Sequence, residues 1–242
     1  MASMTLDDLV SQLRAAYGGG LRTVVLYGSA AAGEHIPKRS DYNVLVIAER
    51  LGASELRAEA AVARAWAEAG NPPPLTLTVD EWRSSSDIFP MEYADIRERH
   101  RVLHGALPGD GISVEREHLR LHVEREAMGK LIQFRQGVLA AGNDGKRQLA
   151  LLDASLSTMM VIFRGVARLV GDVPPTDYQE LSRMVATRAG FDAAPFVRVV
   201  RHVRGEEALP PREAEPVIAG YLTGLERLVA FVDRLASGRG GG

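Results

Sequence analysis

Between Leu21 and Ile47 an apolar run, Val24-Val25-Leu26, is cut by Tyr27-Gly28-Ser29. A polar stretch then delivers Ser40-Asp41-Tyr42-Asn43 into a second apolar run, Val44 to Ile47. The pattern predicts a strand over 22–27, a Gly-Ser corner into a short helix near 29–33, a loop, and a strand over 43–48. Such a corner is suited to an anion. Gly28 lets a backbone approach closely, and Ser29 can cap a helix whose free N–H groups face outward. Asp41 and Asn43 stand two apart at the strand's opening, so the period-two rule sends both side chains to one face. Two oxygen donors beside a phosphate site suit Mg²⁺, which takes one or two carboxylates together with substrate phosphates.

These residues resemble the signature of the DNA polymerase β superfamily of nucleotidyltransferases: Gly-Ser, a spacer, then Asp-x-Asp at the start of a strand. Here residues 30–39 separate Gly28-Ser29 from Ser40-Asp41. The variant resembles the stand-alone bacterial nucleotidyltransferase-domain proteins that carry a helical C-terminal half. Two positions depart from the family pattern. Asn43 replaces the second metal-binding Asp, and Ala32 stands before Gly33 where an Arg is common. An amide oxygen ligates a cation without adding charge, so the site carries one negative charge less.

The resemblance implies an α+β (α/β) chain, a mixed-sheet nucleotidyltransferase domain followed by an all-α helical bundle. It also implies transfer of a nucleoside monophosphate from a triphosphate such as ATP to a hydroxyl acceptor, with Mg²⁺ or Mn²⁺. Asp41, Asn43 and Glu92 would hold the metal, and Gly28 and Ser29 the phosphates. Glu92 is chosen because Met91-Glu92-Tyr93-Ala94-Asp95-Ile96 looks like the strand that brings the third carboxylate in these enzymes. On a strand Asp95 would face the other way, which makes it the alternative. Related transferases bring a basic side chain from the helical domain to the triphosphate, and Lys130 is the candidate. The acceptor, a small molecule such as an aminoglycoside or a protein hydroxyl, is expected in the cleft between the halves.

Composition limits the other classes. Hydrophobic residues make up 46% and charged residues 25%, a globular balance. The formal charge of −2 gives no global attraction to nucleic acid, which is not an expected partner. There is no cysteine, which removes disulfide, thiolate-metal and thiol-nucleophile chemistry and fits a cytoplasmic setting. The N-terminus lacks a secretory pattern. The apolar stretch over 149–163 is broken by Asp153, Ser155 and Ser157 and reads as a buried helix, so no membrane association is expected. A homodimer is compatible with the sequence.

Along the chain the pattern predicts a helix over 6–16 starting at Thr5 and another over 53–69, closed by Gly70-Asn71-Pro72-Pro73-Pro74. A strand over 75–79 follows, then a helical turn over 80–87 capped by Asp80 with Trp82 inward, and a strand over 89–96. After the joint at 106–111 the pattern is helical: 113–140, 145–170, 176–188, 193–204 and 211–236. The expected domains are 1–110, 111–237, and a glycine-rich tail, 238–242.

Several features read as ordinary structure. Arg116, Arg120, Arg125, Lys130 and Arg135 interleave with Glu115, Glu117, Glu124 and Glu126, which reads as a charge-laced helix face. Arg116 and His122 are reminiscent of the Arg-x4–6-His signature of HEPN ribonucleases, a spacing that many arginines produce by chance. The remaining histidines lack zinc-type spacing. A second function class stays open: a catalytically degenerate, nucleotide-binding or antitoxin-like regulatory protein, favoured by Asn43 and Ala32.

Overall fold

The computed structural model describes residues 4–28, 30–31, 42–109 and 112–237. The chain divides into two compact units, Met1–Val114 and Glu115–Gly242.

The first unit opens with α1 (Leu6–Tyr17). Thr5 caps it through a reciprocal pair: its hydroxyl accepts from the Asp8 N–H at 3.2 Å, and Asp8 accepts from the Thr5 N–H at 3.0 Å. There follow β1 (Leu21–Tyr27), β2 (Asn43–Ala48), α2 (Ala53–Glu68), β3 (Leu75–Thr78), α3 (Val79–Ser84), α4 (Pro90–Glu98) and β4 (His100–Gly105). The strands form one mixed sheet in the order β3-β2-β1-β4. β1 is antiparallel to both β2 and β4, whereas β2 and β3 run parallel.

Alternation along β1 and β2 explains why their sequences read as continuous apolar runs. Val24, Leu26, Val44 and Val46 pack on one face with Leu9 and Leu13 of α1 and Val62 and Trp66 of α2. Val25, Leu45 and Ile47 pack on the other with Trp82 of α3 and Tyr93 and Ile96 of α4. A strand covered on both faces has no polar side to show. The helices are tied as well as packed. Glu59, on α2 and 5% exposed, accepts from the Tyr17 hydroxyl at 2.5 Å and from Thr76 Oγ1 at 2.8 Å, which joins α1, α2 and β3.

Two local expectations are corrected. The strand predicted over 89–96 is helix α4, with Pro90 at its first turn. Proline has no N–H to give a sheet ladder, while its fixed φ suits a helix start. The cap of α3 is Thr78 rather than Asp80: its hydroxyl accepts from the Glu81 N–H at 3.1 Å, and Glu81 returns the bond to the Thr78 N–H at 2.8 Å.

The second unit is helical throughout: α5 (Arg116–Ala141), α6 (Gly145–Leu169), α7 (Tyr178–Ala189), α8 (Ala194–Arg204) and α9 (Ala214–Ser237). Among the described residues α6 alone is long and apolar enough to cross a membrane by length and composition. However, 56% of that stretch is buried within the protein, as a core helix requires. An aromatic chain fills the centre, with ring centroids 5.3 Å apart for Phe163 and Phe196, 4.1 Å for Phe196 and Tyr221, and 4.9 Å for Phe134 and Tyr221. Gly224 admits this packing, since a Cβ there would lie 2.4 Å from the Phe196 ring.

Candidate functional site

The described part of the site is built at the last residue of β1. Tyr27 pairs in register with Asn43 of β2 on one side and with His100 of β4 on the other. Alternation puts Tyr27 and Asn43 on the face of Val25 and Leu45, beneath α3 and α4, and Tyr27 packs against that core. The chain then turns at Gly28, where φ is +77° and the Ala31 N–H bonds back to the Gly28 carbonyl at 3.2 Å. A Cβ on Gly28 would sit 3.3 Å from Asn43 Nδ2. Glycine is thus favoured by backbone conformation, and a side chain there would also press on Asn43.

The helix over 90–98 changes the carboxylates. On a strand Glu92 and Asp95 would point oppositely, but on α4 they are three residues apart and share a face. Both act on the same neighbour. The Tyr27 hydroxyl is pushed up to about 12, chiefly by burial, then by the charge of Glu92, then by that of Asp95. Asp95 is buried at 7% exposure and Glu92 is half-buried. The helix itself is anchored through Tyr93, whose ring stacks on Trp82 with centroids 4.2 Å apart and whose hydroxyl donates to the Trp82 carbonyl at 2.7 Å. Carboxylates on that turn inherit the rigidity of the core beneath them.

Of the residues expected from sequence, Gly28, Asn43 and Glu92 therefore gather around Tyr27. Asp41 and Ser29 lie outside the described residues, as do Ala32, Gly33, most of the helix expected near 29–33, and the tail over 238–242. Lys130 lies on α5 in the second unit, half-buried, and burial lowers the pKa of its amine. The arginines around it are held by neighbours. Arg120 bonds Glu124 at 2.6 Å, Arg125 meets Glu126 at 3.3 Å, and Arg135 meets Glu226 at 2.7 Å. Arg116 donates to the Leu169 carbonyl at 3.3 Å, at the C-terminal end of α6.

Two participants were missed. In the sequence Tyr27 only interrupts an apolar run, and Asp95 stands only as the alternative to Glu92. Pro90 was the signal that would have paired the carboxylates, because a proline that opens a helix places residues 92 and 95 together. Among the described residues no group of three or more His, Asp or Glu side chains is placed to hold a metal ion.

No protein-family model matches the chain, and no curated protein matches it. Among solved structures it is similar to the crystal structure of spectinomycin adenyltransferase AAD(9) from Enterococcus faecialis with ATP and spectinomycin. The TM-score is 0.57 at 11% identity, over 92% of this chain and 97% of that one. The chain has a nucleotidyltransferase fold. At that identity the likeness extends to the fold alone, a mixed-sheet α+β unit followed by helices.

Proposed function

We propose that the protein is a metal-dependent nucleotidyltransferase that moves a nucleoside monophosphate from a nucleoside triphosphate to a hydroxyl acceptor. The observation that carries this reading is the convergence of Gly28, Asn43 and the Glu92–Asp95 turn on Tyr27, in a fold shared with an adenyltransferase. The donor set is all oxygen, an amide and two carboxylates joined in sequence by Asp41, and it fits a hard cation. Asp41, Asn43 and Glu92 would hold Mg²⁺ or Mn²⁺, with Asp95 beside them. Bound there, the ion would supply neutralisation of charge on the phosphates.

The chain's own residues do the rest. Gly28 leaves the corner open for triphosphate oxygens, and Ser29 with the backbone N–H groups after it binds them. The acceptor hydroxyl attacks the α-phosphorus in line, a new P–O bond forms, the bond to the bridging oxygen breaks, and pyrophosphate leaves. A carboxylate of the Glu92–Asp95 turn receives the hydroxyl proton. Tyr27 stays protonated at neutral pH, a neutral neighbour to the two carboxylates. The acceptor we favour is a small molecule, the kind of ligand that accompanies ATP in the AAD(9) crystal. Lys130 is retained as a candidate for the triphosphate.

Asn43 favours one further reading, a nucleotide-binding regulatory protein that has lost transfer, because a neutral ligand holds a divalent ion less well. The deciding experiment incubates the protein with each labelled nucleoside triphosphate, Mg²⁺ or Mn²⁺, and cell extract. Label transfer that vanishes in Asp41→Ala identifies the enzyme, whereas nucleotide binding without transfer identifies the regulatory protein. Calorimetry with nucleotide present tests the metal: Asp41→Ala abolishes metal-dependent binding and Asn43→Asp strengthens it. Unchanged affinity in both variants removes the metal assignment.

A further inference from the structure

The opposite end of β1 carries a pocket of about 570 Å³, lined by Ser11, Arg14, Gly18, Gly19, Leu21 and His104. All belong to the first unit. Leu21 and Tyr27 are the two ends of the seven-residue β1, about 20 Å apart at the usual rise, so the pocket is distinct from the candidate site.

Its ionisable side chains are of one sign. Arg14 and His104 are the titratable lining groups, and no lining residue is acidic. Among the described residues neither side chain has an ion-pair partner. The nearby Glu49, whose N–H bonds the Gly20 carbonyl at 2.8 Å, is engaged by Arg22 at 3.0 Å. Ser11 adds a hydroxyl donor, and the imidazole carries an N–H in either protonation state. A guanidinium fork, a hydroxyl and an imidazole around an open cavity form a donor set for a tetrahedral oxyanion.

The glycines are the independent observation. Gly18 has φ +53° and ends α1, but Gly19 and Gly20 lie outside the left-handed region. A Cβ on either would meet nothing within 4 Å. Neither backbone conformation nor packing requires glycine there. What the missing side chains preserve is an open floor, where a ligand can approach the backbone.

We propose that this pocket binds the phosphate group of a small phosphomonoester. Arg14 grips the phosphate, Ser11 and His104 complete its hydrogen bonds, and Ala15 and Leu21 border the organic part. The cavity exceeds what a phosphate alone needs, which favours an ester over the free ion.

The test titrates the full chain by calorimetry with glycerol phosphate, inorganic phosphate and uncharged glycerol. A chelator is present throughout, so that metal-assisted binding at the Gly28 end is silent. Saturable binding of phosphate is expected, weakened at least about tenfold by Arg14→Gln, which removes a charged hydrogen-bond donor from an exposed position. Gly19→Leu, which fills the floor without strain, has the same effect, and Asn43→Ala leaves binding intact. Tighter binding of the ester marks an organic ligand, and equal binding marks the phosphate group alone as the recognised part. Absence of saturable binding for both phosphates, or affinity unchanged in Arg14→Gln, overturns the proposal. Loss of metal-dependent nucleotide binding in Asn43→Ala would bear only on the other end of the strand.

Discussion

At one end of β1 the chain needs Gly28, and at the other Gly19 and Gly20 answer to no such demand. Gly28 sits at φ +77° against Asn43, with the charges of Glu92 and Asp95 felt at the adjoining Tyr27, and any side chain there is strained. Gly19 meets nothing, is free of backbone constraint, and lies among Arg14, Ser11 and His104. The same residue type thus answers to sterics in one place and to an opening in the other. The charges differ as well, acidic beside Gly28 and basic beside Gly19. Position in sequence alone does not separate these roles. What separates them is what a Cβ would touch.

The contrast can be broken most directly at Gly28. Gly28→Val combines a left-handed backbone with a clash at Asn43, and we expect a loss of about 3 kcal/mol in denaturant unfolding together with loss of nucleotide binding. A smaller effect is expected near the other end, where Tyr17 precedes the glycines and its hydroxyl bonds Glu59. Tyr17→Phe leaves one oxygen of a buried carboxylate without that donor and should cost about 2 kcal/mol in the same measurement.

The acidic end is sharpened by titration. Tyr27 is an acid whose folded pKa is raised from 10.0 to about 12, so its contribution to stability is complete below 10 and is lost as pH rises through 12. Glu92→Gln should lower its midpoint, read by NMR of the ring, by on the order of 1 unit, and Asp95→Asn by less. The order follows the ranking of the two charges. A reversed order would show that Asp95, not Glu92, stands closer, and equal shifts would show that neither charge dominates. The smallest change is expected at Gly19: Gly19→Ala should stabilise the protein by about 0.5 kcal/mol, through the unfolded chain alone. Destabilisation there would erase the contrast with Gly28.

How much of this could be read from sequence depends on how each segment is covered. β1 and β2 were legible because burial on both faces leaves uninterrupted apolar runs. α1 was legible because Thr5 and Asp8 form a cap within the sequence itself. α4 was not. It has nine residues, and Pro90, Met91, Tyr93, Ala94, Asp95 and Ile96 are all buried, so apolar residues on several sides obscure the short polar stripe of Glu92 and Asp95. Read as a strand, it separated two carboxylates that the helix unites. The nearness of Asn43 to Gly28 was out of reach for another reason: it follows from the antiparallel register of Tyr27 with Asn43, a tertiary pairing.

β1 is paired on both edges and roofed on both faces, and each of its ends opens onto a pocket or a candidate site. Its amide protons can therefore exchange only when the whole first unit opens. A screen for altered chemistry will accordingly collect variants from the two corners and few from the stretch joining them, where most changes remove the fold before they can tune anything.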